Sequence, residues 1–275
     1  MSFVSLSEKL EAAGGRPRGF DYMRLILALM VIAIHSPMIA YADSGPIRPF
    51  QMPYLPVARL VIPMFFALSG FLVAGSFERV KTYRMFFGLR AIRIFPALAV
   101  ETFVSALVIG VLFTTLPLGQ YFSDPLFFRY WLNILGEPQY HLPGVFLDNP
   151  LSGLVNLQLW TIPFELGCYI SIAVIGVMGA RQNKLVAPIA AILLSLAYLV
   201  FCLWRGAVPD FHRAMPGVLI IASFLWGVAA YQWRASLPGS LTAGGLALVA
   251  SMTLLCLPGA AQFLAPLPIA YATAV

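Results

Sequence analysis

Charge is what this sequence has least of. Only 10% of its 275 residues are Asp, Glu, Lys or Arg, where an ordinary soluble domain carries about 25%. Hydrophobic residues make up 60% and the mean hydropathy is +0.87, which leaves too little polar surface to coat a water-soluble globule of this size. Histidine is scarce as well. His35, His141 and His212 lie far apart in the chain, so metal-ligand spacing is missing and no metal is expected. The three cysteines, Cys168, Cys202 and Cys256, sit singly inside apolar runs; they read as small core residues and exclude a disulfide frame. Strand-like alternation is missing too, which argues against a membrane barrel. Residues 1–20 lack a long apolar core with a small-residue cleavage site and are expected to form a cytosolic arm rather than a signal peptide.

What is present is a series of apolar runs, each about long enough to span a bilayer. They lie at about Tyr22–Tyr41, Leu55–Gly75, Phe95–Leu116, Leu159–Ala180, Leu185–Trp204, Gly217–Trp233 and Leu241–Leu257, with an eighth, shorter stretch from Gln262 to Val275. The fold class is therefore all-α, a polytopic transmembrane helix bundle of about seven to eight spans. Placing the N-terminus inside puts Lys9, Arg16, Arg18, Arg79, Lys81, Arg84, Arg90, Arg93, Arg181, Lys184 and Arg234 on the cytosolic side. Arg48, Arg59, Arg129, Arg205 and Arg213 then lie outside, with Arg24 in the first span. That asymmetry follows the positive-inside rule. It also accounts for the formal charge of +6 without invoking nucleic acid. The longest connection, from Pro117 to Gln158, faces outward, and its aromatic run at residues 127–131 is expected to lie on the membrane surface or cover an outer opening.

Titratable groups inside the spans carry the chemical information, because hydrocarbon penalises each one unless it pairs or faces a cavity. Arg24 and His35 are eleven residues apart, about three turns, so both project from one face of the first helix, the arginine near the cytosol and the histidine deeper. A snorkelling arginine and a hydrogen-bonded core histidine are the plain alternatives. Arg90 and Arg93, three apart, share a helix face at the cytosolic boundary, where paired guanidinium groups suit phosphate; positive-inside topology alone would also place them there. Glu101 and Glu165 are carboxylates within spans, and Glu165 would orient or charge-balance His35 or an arginine. Ser69 and Gly70 read first as a site of close helix approach.

Several ordered motifs resemble the membrane acyltransferase 3 family, bacterial O-acyltransferases that modify surface polysaccharides and related acceptors. They are Arg24 with His35 in the first span, and Pro63 to Leu72 around Ser69-Gly70-Phe71. Arg90-Ala91-Ile92-Arg93 follows before the third span, then Leu142-Pro143-Gly144-Val145-Phe146, Val155-Asn156, and Leu159-Trp160 onward to Glu165 and Tyr169. Leu157-Gln158 depart from the Gly-Ser common in relatives. The resemblance implies acetyl-CoA or another short acyl-CoA as co-substrate, a glycan or glycolipid hydroxyl as acceptor, and the lipid of the bacterial cytoplasmic membrane as surroundings. Under it His35 is the catalytic base, Arg24, Arg90 and Arg93 bind the donor, and Ser69, Trp160 and Glu165 support the site. It gives Glu101 no role. Residues 21–275 would form one acyltransferase domain, apparently truncated at its C-terminus, since the family core has about ten spans. A proton-coupled transporter using His35, Glu101 and Glu165 as a relay is the rival reading, and an inactive fragment is another.

Overall fold

The computed structural model describes residues 4–15, 17–42, 47–206 and 215–275; Arg16, His212 and Arg213 lie outside the described residues. Among the described residues no strand forms, and the only extended pairing is three isolated bridges. Helix α1 (Leu6–Ala12) opens with a reciprocal cap: the Ser5 hydroxyl accepts from the Glu8 amide at 3.2 Å, while the Glu8 carboxylate accepts from the Ser5 amide at 2.6 Å. There follow α2 (Arg18–Tyr41), α3 (Leu55–Arg79) and α4 (Tyr83–Val104), the last running through a π-helical turn at Ser105–Ile109 into α5 (Gly110–Phe113). Helices α6 (Leu118–Ser123) and α7 (Pro125–Tyr130) are short. Helix α8 (Ile162–Ile175) is entered by a 3₁₀ turn at Leu157–Thr161 and left by a second π turn at Gly176–Ala180. Helices α9 (Val186–Trp204), α10 (Gly217–Gln232), α11 (Leu241–Cys256) and α12 (Pro266–Ala274) complete the described chain.

Among the described residues, five helical stretches are long and apolar enough to cross a bilayer: Arg18–Tyr41, Leu55–Arg79, Tyr83–Phe113, Leu157–Ala180 and Val186–Trp204. Helices α10 and α11 are apolar but 16 residues each, about 24 Å of rise against a hydrocarbon core of about 30 Å. The multi-pass helical bundle read from composition is what forms. One boundary differs substantially. The third long helix begins at Tyr83, not Phe95, because Thr82 caps it by accepting from the Met85 amide at 3.3 Å. The arginines at 84, 90 and 93 interrupt the apolar run without breaking the helix, being good helix formers. Arg90 and Arg93 thus lie within this helix rather than ahead of it.

The chain forms two compact units. The first comprises Met1–His35, Ile47–Val80 and Ile170–Val275, and the second Ser36–Pro46 and Lys81–Tyr169. In the first, α3 is the buried centre, packed by α10, α11 and α12. Two glycines set its closest crossing: a Cβ on Gly70 would strike the Phe224 carbonyl oxygen, and one on Gly227 would strike the Ala67 carbonyl oxygen. Phe71, next in chain, stacks edge-on against Phe20 of α2 at 5.5 Å and Tyr231 of α10 at 5.3 Å. Near the start of α3, buried Arg59 donates to the Leu255 carbonyl at 2.6 Å, satisfying an end-of-helix acceptor of α11. The N-terminal arm is docked: the amides of Leu6 and Ser7 donate to the Leu237 and Arg234 carbonyls at 2.9 and 3.0 Å, and Leu6 joins the core.

In the second unit the long connection after α5 has its own small core of Tyr121, Phe127, Tyr130, Leu142 and Val145 against Ala106. The connection expected to lie on the membrane surface or to cover an outer opening thus carries a packed core of its own. Tyr121 donates to the Ala106 carbonyl at 2.7 Å, and Gly110 leaves room for its hydroxyl, since a Cβ there would overlap it. Thr114 Oγ1 donates to Pro143 O at 2.8 Å, and the Thr115 amide to Gly144 O at 2.9 Å. These bonds tie the Leu-Pro-Gly turn to the end of α5.

The α3–α10 crossing gives a direct test. Gly70→Leu forces a side chain into the Phe224 backbone and is expected to cost about 1–3 kcal/mol or more, seen as loss of monodisperse folded protein in detergent. Ser69→Ala, one position away and outside the contact, is expected to leave folding unchanged.

Candidate active site

The sequence-predicted residues fall on both units. Arg24, His35 and Ser69 belong to the first; Arg90, Arg93, Trp160 and Glu165 belong to the second.

On α2, the chain presents Tyr22, Leu25, Ile26, Leu29 and Ile32 outward as exposed apolar side chains, while Arg24 and His35 are half-buried. Arg24 pairs with Asp21 one turn earlier at 3.7 Å. The His35 ring is held by its own helix. Its Nδ1 lies 2.8 Å from the Val31 carbonyl oxygen, and a carbonyl only accepts, so Nδ1 carries the proton of this bond. In the neutral ring the lone pair then resides on Nε2, the nitrogen aimed away from the backbone. That tautomer is the one a proton acceptor needs. Ser69 is half-buried on α3 beside the Gly70 crossing.

On α4, Arg90 is half-buried and Arg93 exposed. The Arg90 guanidinium carbon lies 5.8 Å from the ring centres of both Phe86 and Tyr169, a fixed cation–π seat. Tyr169 in turn donates its hydroxyl to Glu165 at 2.6 Å. The structure therefore joins Arg90 to Glu165 through a buried phenol, and Tyr169, given no role of its own in the sequence reading, is the link. Its position one helical turn after Glu165 was the available signal. Trp160 sits before this cluster, edge-on to Phe164 at 5.9 Å.

A second polar cluster was not foreseen. Glu101, one turn before the π turn of Ser105–Ile109, accepts from Ser105 Oγ at 3.0 Å and from the Asn156 amide. The same Asn156 Nδ2 also reaches Ser105 Oγ at 2.7 Å and Tyr130 Oη at 2.5 Å, and Gln158 Nε2 donates to Asn156 Oδ1 at 3.2 Å. Gln158, the departure from the family's Gly-Ser, thereby extends the network instead of disrupting it. Burial pushes the Tyr130 phenol up to about 12, so it stays protonated as a hydrogen-bonding group across the physiological range. The cluster pins the long connection after α5 to the third long helix, and the π turn places Ser105 within it.

With this geometry in view, comparison with known proteins is decisive on one point. A family model described as "Acyltransferase domain" matches residues 18–274. The chain belongs to this acyltransferase family. The match takes in every motif named above, from Arg24 to Tyr169, and continues through α12. The chain is 28% identical over 181 residues to an O-acetyl transferase of Shigella phage Sf6, covering 66% of this chain and 52% of that protein. It is also 28% identical over 189 residues to nodulation protein 10 of Rhizobium leguminosarum bv. viciae, covering 66% of this chain and 50% of that protein. The chain thus spans about half the length of these curated relatives. No solved structure matches it.

The Glu101 cluster predicts a contrast between two near-isosteric variants. Asn156→Leu removes the amide and leaves a half-buried carboxylate and a buried phenol short of partners, at an expected cost of about 1–3 kcal/mol. Glu101→Gln removes the charge and keeps hydrogen-bonding capacity, and is expected to cost less. Thermal unfolding in detergent measures both.

Proposed function

We propose that this acyltransferase-family chain acts as a membrane O-acyltransferase, moving an acetyl or other short acyl group from acyl-CoA at the cytosolic side to a hydroxyl of a glycan or glycolipid. The reading places it in the bacterial cytoplasmic membrane with its N-terminus in the cytosol. Family membership and the O-acetyl transferase named among its relatives support the reaction class over the transporter alternative. The observation that carries the residue assignment is the His35 Nδ1–Val31 O hydrogen bond.

In this scheme Nε2 of His35 takes the proton of the acceptor hydroxyl as that oxygen attacks the thioester carbonyl. The new C–O bond forms, the tetrahedral intermediate collapses, the C–S bond breaks, and the departing CoA thiolate takes the proton from the imidazolium. One proton and one acyl group change places, and the histidine is restored. The Val31 carbonyl stabilises the imidazolium at Nδ1 while it exists, as a positive charge strengthens that bond. Arg90 and Arg93, three apart on α4, suit forked hydrogen bonds to the phosphates of the donor, with Arg24 as a further cation on α2. Glu165 holds Tyr169 under the Arg90 guanidinium and so fixes where that charge sits. Trp160 and Ser69 are supporting positions.

Two variants separate these roles. His35→Ala is expected to lower acyl transfer by about 10² to 10⁴ while the protein remains inserted, measured by mass spectrometry of glycan acylation in cells. Wild-type acylation by this variant would end the assignment. Arg93→Ala, at an exposed position, is expected to raise the apparent KM for acyl-CoA with a smaller effect on kcat; a change in kcat alone would remove Arg93 from donor binding.

A further inference from the structure

In the first unit, the C-terminal ends of α3 and α10, the π turn after α8, and the start of α9 converge on a cavity of about 220 Å³. Its polar lining is Glu78, Arg181, Lys184, Gln232 and Arg234, with Ser7 of α1 at the edge and an aliphatic floor beneath. None of these residues belongs to the proposed acyl-transfer machinery.

Helix C-termini carry partial negative charge and would by themselves repel an anion. Here those carbonyls are already met by side chains. Arg181 Nη2 donates to Phe77 O at 3.1 Å and Val80 O at 3.4 Å, and Gln232 Nε2 donates to Ala180 O at 2.7 Å. Arg234 Nη1 donates to Tyr231 O at 2.8 Å, and Trp233 Nε1 to Lys184 O at 3.3 Å. What is left over is cationic. Three positive side chains face one carboxylate, Glu78, which lies 3.5 Å from Arg234 Nη2. Both guanidinium groups are seated on rings, Arg181 over Phe77 at 4.3 Å and Arg234 over Tyr231 at 4.0 Å, so they are fixed before any ligand arrives. The exposed Lys184 ammonium stands 5.9 Å from the Trp233 ring. One polar atom faces the other way in character: Gln232 Oε1 is buried with no hydrogen-bond partner and calls for a donor.

We propose that this cavity binds a phosphate ester that also carries a hydroxyl or amino group. The phosphate sits among Lys184, Arg181 and Arg234, and the hydroxyl or amino hydrogen meets Gln232 Oε1. Basic pockets between helices at a membrane's cytosolic face take anionic headgroups by this chemistry. Two sources supply it, the headgroup of an anionic phospholipid and the phosphorylated adenosine end of a coenzyme. The coenzyme source rests on the acyl-transfer reading and the lipid source does not; because the test measures binding rather than turnover, failure of the site and failure of that reading are told apart.

The test uses the purified full chain in phosphatidylcholine nanodiscs. One arm adds phosphatidylglycerol to the discs, and the other adds adenosine 3′,5′-bisphosphate in solution. Native mass spectrometry and thermal shift read binding in the wild type and in Lys184→Glu, with Lys184→Gln as a milder second variant. Binding of at least one probe, weakened about tenfold by Lys184→Glu, supports the site and tells the two sources apart. Absence of binding by both probes, or binding unchanged in both Lys184 variants, overturns it.

Discussion

Hydrocarbon offers no solvent for charge, and the arrangement of this protein follows from how each intramembrane polar group is nevertheless satisfied. The solutions are local. His35 bonds the carbonyl four residues back on its own helix, Arg24 pairs with Asp21 one turn away, and Glu165 takes the phenol of Tyr169 one turn on. Longer-range pairing is reserved for places where it fastens segments together, as when Arg59 closes the end of α11 and Asn156 ties the connection after α7 to Glu101. Because these groups answer to their own helix first, their reactive atoms are left facing outward from it in defined orientations.

Packing obeys the complementary rule. Among apolar helices in lipid, burial of oily surface gives little reason to associate, so close backbone approach and shape have to supply it. The Ser-Gly-Phe stretch of α3 shows this residue by residue. Gly70 admits the α10 backbone, Phe71 wedges between Phe20 and Tyr231, and Ser69 is left half-buried beside them. Two of the three residues that mark the family in this helix are thus accounted for by packing.

Much of the fold was legible because the hydrocarbon constraint writes itself into composition. The runs read as Leu159–Ala180 and Leu185–Trp204 form as Leu157–Ala180 and Val186–Trp204. Reading failed where polar residues continue a helix, as at Tyr83–Arg93, and where a long polar-aromatic connection builds its own core, as around Tyr121 and Tyr130. Of the candidate site, Arg24, His35, Arg90, Arg93 and Glu165 stood out in the sequence as charges out of place or as a family pattern. The roles of Tyr169, Ser105, Tyr130 and Asn156 were not, since a tyrosine, serine or asparagine announces a partner only when three-dimensional structure supplies it.

The central claim is that the helix itself sets His35 as a base, with its proton on Nδ1 and its lone pair on Nε2. Nitrogen-15 NMR of ring-labelled histidine in the reconstituted protein tests it most directly, with His141→Gln and His212→Gln variants isolating the His35 signals. For the neutral ring the account predicts a protonated Nδ1 and an unprotonated, acceptor-type Nε2. A neutral ring protonated at Nε2 instead would contradict it.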